Sequence, residues 1–462
     1  MIWNPKRKKV FRVSEQKSTK TRQIDMLQGS LLDKLFLFAL PIAASSILQQ
    51  LFNSVDVAVV GKFASSQAQA AVGCNGPFIN LLLNLFVGIS VGTNVVIASY
   101  IGQNRKENIQ DTVHTSMVVA IISGFFLLAM GMWITKPMLL LMNTPKDVLN
   151  HANLYLRIYF LGMPFIMVYN FGSAILRSIG DTRRPMYCLL LSGIVNAGLN
   201  MILVIVFHLG VAGVAIATVV SNIISSSMIV FFLVHESGSI RLQFHLLHIT
   251  KSELIKMMKI GIPAGLQGMV FSVANLFIQR ALNGFGSDAV AGSAVALNYE
   301  YITYFVIASF NQTTVTFTSQ NFGAGNYDRC KKIFRLSMIL SVVITGSLSC
   351  IIVVGRSFFI GLFTSKAAVA KYAAARMIRI LTLNFLCNTY EISGSALRGM
   401  GYSLTPAILT VFGTCVFRLV WIATVCKKYK SFAMLMNVYP ITWIITGVAV
   451  LMAYVIIRKK QC

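Results

Sequence analysis

Charge is scarce in this chain. Of its 462 residues 12% are charged, with 14 Asp and Glu against 40 Lys and Arg. An ordinary globular domain carries roughly 25% charged residues, so a water-soluble fold of this length lacks the polar surface it would need. The 56% hydrophobic share excludes a disordered chain as well. What remains is a polytopic membrane protein solvated mostly by lipid.

Metal, redox and catalytic frameworks are missing too. The eight cysteines, Cys74, Cys188, Cys330, Cys350, Cys387, Cys415, Cys426 and Cys462, form no CxxC pair and fall mostly in apolar stretches. They read as small buried hydrophobes rather than as a disulfide or metal framework. No GxxxxGK[ST] phosphate loop, HExxH or GxSxG motif occurs. The six histidines do not cluster within the apolar stretches. The expectation is therefore no enzyme, no cofactor and no bound metal.

What the chain does have is twelve apolar runs, near 35–60, 75–101, 113–135, 152–176, 185–207, 211–234, 256–283, 290–318, 333–355, 374–397, 405–426 and 435–457. At about 20 residues per span, these give an all-α membrane protein of 12 transmembrane helices. The net charge of +26 would suggest nucleic acid in a soluble protein. Here no polar domain exists to form such a face, and no nucleic-acid partner is expected. The basic residues sit between runs, where they set orientation. Arg105, Lys106, Arg183, Arg184, Arg329, Lys331, Lys332, Arg458 and Lys459 fall on one side, and the sparser Lys62, Lys136, Lys146, Lys366 and Lys427 on the other. Both termini are then cytoplasmic. Residues 1–28 form a basic tail with no apolar core, so a cleaved signal peptide is not expected. Its composition predicts a disordered cytoplasmic tail, with contact to anionic lipid headgroups as the alternative.

An internal repeat organises the chain. AILRSIGDTRRP (174–185) matches SALRGMGYSLTP (395–406), pairing Arg177 with Arg398, Gly180 with Gly401 and Pro185 with Pro406 at one offset, 398 − 177 = 221. The same shift brings Gly102 onto Gly323, and nearly the same shift brings Pro41 onto Pro263. Each half holds six runs, an even number, so the halves insert with the same orientation and are related by a pseudo-twofold axis along the membrane normal. The halves are expected at 29–234 and 256–462, joined by a polar cytoplasmic link at 235–255. The repeated Arg–Gly–Pro motif reads as a structural corner, with Gly in a tight turn and Pro opening the next helix.

The segments FALPIAASSILQQLFNSVDVAVVGKF, FVGISVGTNVVIASYIGQNRK, GSAILRSIGDTRRP, GVAIATVVSN, IGIPAGLQGMVFSVANLFIQ, SQNFGAGNYDRCKK and SGSALRGMGYSLTP together resemble the bacterial multidrug and toxic-compound extrusion (MATE) family, from about residue 29 onward. The resemblance implies two six-helix bundles forming a V, and secondary active efflux of drug-like small molecules in exchange for cations. It implies a monomeric, multi-pass protein of the bacterial inner membrane whose other contacts are membrane lipids.

Three of the acids fall well inside apolar runs: Asp56, Glu300 and Glu391. A carboxylate at bilayer depth is costly unless neutralised or paired, which makes it a functional candidate by default. A carboxyl taken out of water favours its protonated form, which suits it to carry a proton. Asn196 and Asn200, spaced i, i+4, share a helix face in the fifth run, and Thr218 lies in the sixth. The resemblance implies that Asp56 belongs to a coupling-cation site with Asn196, Thr218 and the residue at 200, where family members often carry a second acid. With Asn200 in that place the site keeps its oxygens and loses a charge. A hard cation is then held less well, so the reading favours H+ as coupling ion over Na+.

Glu300, flanked by Tyr299 and Tyr301, and Glu391 resemble acids used in the second half for cation or substrate binding. An acid near aromatic faces attracts lipophilic organic cations. With Tyr299, and with Asn170 as the first-half position matching Glu391, they form the expected substrate set. The repeat sets Asp56 against Ile278, Asn196 against Phe417 and Asn200 against Trp421, so coupling is expected in the first half and substrate binding in the second. Arg157, Arg280, Arg376 and Arg379 are expected to snorkel to the interface. The alternative function is a flippase for a lipid-linked precursor, which would need a basic cavity for pyrophosphate; an apparent excess of acidic over basic intramembrane charge speaks against it.

Overall fold

The computed structural model describes residues 23–141 and 144–461; most of the basic tail lies outside them. Among these residues the regular structure is helical. The first half contains α1 (Leu32–Phe63), α2 (Ser66–Cys74), α3 (Gly76–Gly102), α4 (Lys106–Leu141), α5 (Lys146–Leu161), α6 (Met163–Ser178), α7 (Arg183–Met201) and α8 (Gly210–Val234). The second contains α9 (Lys251–Asn283), α10 (Ser287–Gly323), α11 (Tyr327–Val354), α12 (Arg356–Gly361), α13 (Ala367–Leu381), α14 (Cys387–Gly399), α15 (Leu404–Thr410), α16 (Phe417–Trp421), α17 (Lys427–Tyr429) and α18 (Phe432–Gln461).

Nine helices among the described residues are long and apolar enough to cross a membrane, ten if α5 and α6, bent by 49°, count as one span. The two remaining apolar runs fall on α10, which is rich in Ser, Thr and Asn, and on α13 and α14, separated by a short 3-10 turn at Asn384–Leu386. The chain is a multi-pass membrane protein of two helical bundles, α1–α8 and α9–α18.

The repeated corner has a definite geometry. Gly180 and Gly401 have φ of 94° and 90°, a left-handed conformation open to glycine. Gly180 N donates to Arg177 O and Asp181 N to Leu176 O at 3.0 and 3.1 Å; Gly401 N donates to Arg398 O and Tyr402 N to Leu397 O, both at 2.9 Å. These are two copies of the same helix-ending Schellman pattern. Pro41 and Pro263 likewise lie inside α1 and α9 at matching places.

The bundles meet along α3 and α9, from Asn84 against Gly268 and Ser272 to Tyr100 against Glu253. α3 and α9 pack so closely that a Cβ on Gly88 would lie 2.2 Å from Gly265 N, and one on Gly265 would lie 2.4 Å from Leu85 O. Toward the chain termini, Asn94 Oδ1 accepts from Thr316 Oγ1 at 2.9 Å, Tyr100 Oη donates to Glu253 at 2.7 Å, and Gln320 Nε2 donates to Ser178 O at 2.6 Å. Residues 24–29 strap this end. Ile24 N donates to Gly180 O of the first bundle, while Met26 O accepts from Asn321 and Arg329 of the second, each at 3.1 Å. Arg329 also donates to Gly29 O and Gln28 O.

Candidate functional site

In the first bundle a glycine sets the geometry. A Cβ on Gly193 of α7 would lie 1.7 Å from the Phe52 ring of α1, so the two helices approach where α7 has no side chain. One turn beyond Phe52 stands Asp56; one and two turns beyond Gly193 stand Asn196 and Asn200. All three are buried, Asp56 at 6% exposure and Asn200 at 0%. Asn200 Nδ2 donates to Asp56 Oδ1, and also reaches Asn196 Oδ1 at 3.3 Å. From α8, Thr218 Oγ1 lies 3.4 Å from Asp56 Oδ2 and 2.9 Å from Val214 O. Its single proton goes to one of them.

The structure therefore brings Asp56, Asn196, Asn200 and Thr218 together. Among the described residues no Lys, Arg or His pairs with Asp56. Asn200 Oδ1 is buried without a hydrogen-bond partner. A carboxyl with no counter-charge, bonded by the Asn200 amide and lying beside the Thr218 hydroxyl, can take up a proton or a small hard cation. Immediately beyond Asn200, α7 loosens into a π-helical turn at Ile202–Val206, a distortion frequent at functional sites. Tyr155 and Tyr159 of α5, spaced i, i+4 with rings stacked 5.9 Å apart, lie within the field of Asp56. Sequence reading did not select them, although that spacing was visible.

The second-half acids are arranged differently. Glu300 is not a free carboxylate. Arg376 Nε and Nη2 donate to its two oxygens at 2.7 and 2.9 Å. This corrects the expectation that Arg376 snorkels: it is 2% exposed, held in by the pair. Arg157 and Arg280 are exposed. Glu391 accepts from Asn311 Nδ2 of α10 and lies in the field of Arg398, two turns further along α14. Arg398 itself donates to Gln267 Oε1 of α9 at 2.7 Å. Tyr299 packs edge-on against Phe359 and Phe363 and donates to Phe359 O at 2.8 Å. Asn170 donates within its own helix to Ile166 O. Glu300, Tyr299, Glu391 and Asn170 thus hold separate hydrogen-bond partners.

The apparent acidic excess inside the membrane does not hold either. Arg376, Arg398 and Arg418 are buried at 2, 8 and 1% exposure. Arg418 went unselected, although its place inside the eleventh apolar run was the signal.

The family model described as MatE matches this chain twice, over residues 41–202 and 263–424, at a uniform shift of 263 − 41 = 222. Among curated relatives, "Probable multidrug resistance protein YoeA" of Bacillus subtilis is 28% identical over 81% of this chain and 83% of its own. "Multidrug export protein MepA" of Staphylococcus saprophyticus is 24% identical over 76 and 77% of the two chains. Among solved structures, an outward-facing multidrug resistance MATE family transporter of the MOP superfamily aligns at TM-score 0.89 and 21% identity, covering 96% of this chain and 99% of the other.

Proposed function

The chain belongs to the MatE family, and from that premise we propose that it is a secondary active multidrug exporter of the bacterial inner membrane. It exchanges protons for amphipathic organic cations or other xenobiotics by alternating access. Sodium is the second choice of coupling ion. The names of the curated relatives support multidrug export. Both termini are cytoplasmic in this reading, so the strapped end faces the cytoplasm.

One observation carries the coupling assignment: Asp56 of α1 is buried without a cationic partner among the described residues, beside hydrogen-bonding neutral groups from two other helices, α7 and α8. Its charge is uncompensated, so a proton arriving from outside removes a desolvation cost and changes the contacts that hold α1 to α7 and α8. Coupling follows if protonated and substrate-bound forms favour different arrangements of the bundles. Loss of the second acid at position 200 supports protons over sodium. The flippase reading is not adopted. The buried arginines are dispersed, Arg376 is neutralised by Glu300, and a pyrophosphate needs several guanidinium or ammonium groups converging.

Efflux from proteoliposomes under separate proton and sodium gradients tests this. Wild type is expected to respond to the proton gradient, and Asp56→Asn to neither. Equal proton-driven efflux in both proteins would remove Asp56 from the mechanism.

A further inference from the structure

The coupling-site geometry of the first bundle has a counterpart in the second, and the counterpart carries the opposite charge. At the 221–222 offset, α1, α7 and α8 correspond to α9, the α15–α17 segment and α18. At an offset of 221, Arg418 matches Ala197, between Asn196 and Asn200, and Thr218 matches Tyr439. The π-helical turn after Asn200 has its equivalent at Ile422–Cys426, with a second such turn at Val411–Val416 before Arg418.

The guanidinium of Arg418 is buried at 1% exposure. Among the described residues no carboxylate pairs with it, and its Nη1 has no hydrogen-bond partner. Its Nε makes one long contact, 3.4 Å, to Thr442 Oγ1. The Tyr439 and Phe271 rings face it, with centroids 4.5 and 5.2 Å from Cζ. Both rings are only half-buried. Arg376 approaches the Tyr439 ring too, at 5.6 Å, but its charge is already met by Glu300. Aromatic faces offset part of the desolvation of a buried arginine but do not replace an anion.

We propose that Arg418 is the anchor of an anion subsite in the second bundle, filled by the carboxylate of an aromatic, amphipathic substrate stacked against Tyr439 and Phe271. A single guanidinium with a free Nη1 matches a monoanion, for which arginine supplies directed donors. The subsite makes Arg418 a determinant of selectivity between carboxylate-bearing and purely cationic substrates. It rests on the export reading above, as a property of the same transporter.

The test compares two forms of one alkylated xanthene dye, the cationic ethyl ester and the zwitterionic free acid. They are titrated by fluorescence polarisation against the full-length protein in lipid nanodiscs. Wild type is expected to bind the free acid about tenfold or more tighter than the ester. Arg418→Gln should abolish that preference by weakening the acid and sparing the ester, and Arg418→Lys should retain part of it. Equal affinities in wild type overturn the proposal without recourse to any variant, as does a preference that persists in Arg418→Gln. Asp56→Asn should keep the acid-over-ester preference while losing gradient-driven efflux, so a failure of the coupling assignment and a failure of the anion subsite give different results.

Discussion

Asp56 and Arg376 show two fates of a charge carried into a lipid-solvated bundle. Arg376 meets a bidentate carboxylate and is fixed. Asp56 meets one amide and one hydroxyl, and no cation among the described residues. Removing the partner of a buried charge costs about 3–5 kcal/mol, so Glu300→Gln should lower the thermal unfolding midpoint in detergent, and Glu300→Gln with Arg376→Met should recover most of the loss. If Glu300 instead serves mainly as a substrate ligand, Glu300→Gln would leave the midpoint in place and weaken binding. Asn200→Asp places a second acid beside Asp56. It should let a sodium gradient drive efflux, measurable in proteoliposomes as a response that wild type lacks. The Asp56 cluster was legible in the sequence because each member announces itself: an acid in an apolar run, two Asn one turn apart, and a resemblance that groups them. The Glu300–Arg376 pair was not legible. Its members come from α10 and α13, and an arginine near the start of an apolar run looks the same whether it snorkels outward or turns in.

At the scale of the helix, glycine placement decides what can touch. Gly193 leaves room for the Phe52 ring and so presses α1 against α7. Adding a methyl there forces overpacking, with a typical cost of about 1–3 kcal/mol. Gly193→Ala should impair proton-driven efflux even though it removes no polar group, and Phe52→Ala in the same chain should restore part of it. A glycine variant transporting at the wild-type rate would show that the α1–α7 distance does not matter. The repeated corner was readable from three residues, because arginine, left-handed glycine and helix-opening proline each have a local reason for their place. The π-helical turns at Ile202–Val206, Val411–Val416 and Ile422–Cys426 were not. They fall within continuous apolar sequence, where nothing in composition distinguishes a wider turn from an ordinary one.

At the scale of the molecule, two bundles related by the repeat are drawn together at the end that carries residues 24–29. Alternating access requires this contact to break. The backbone approach of Gly88 to Gly265 leaves no room for a side chain, so Gly265→Leu should wedge α3 and α9 apart. Spin labels on α3 and α9 should report a longer distance there and transport should fall. Arg329→Ala, which frees Met26, Gln28 and Gly29 from α11, should shift the same distance distribution toward opening without abolishing binding. The two-bundle plan was legible from the even split of apolar runs. Which end is strapped was not, because it depends on contacts between residues more than a hundred positions apart.

The most direct test is to count protons when substrate binds. Tetraphenylphosphonium is added to the purified protein in weakly buffered detergent solution near neutral pH, with an indicator dye following released protons. Linkage between cation binding and the protonation of Asp56 requires protons to leave as the probe binds, at most one per cation, in wild type and none in Asp56→Asn, with binding of the probe retained. Equal release from both proteins, or none from either despite saturation, would contradict the account.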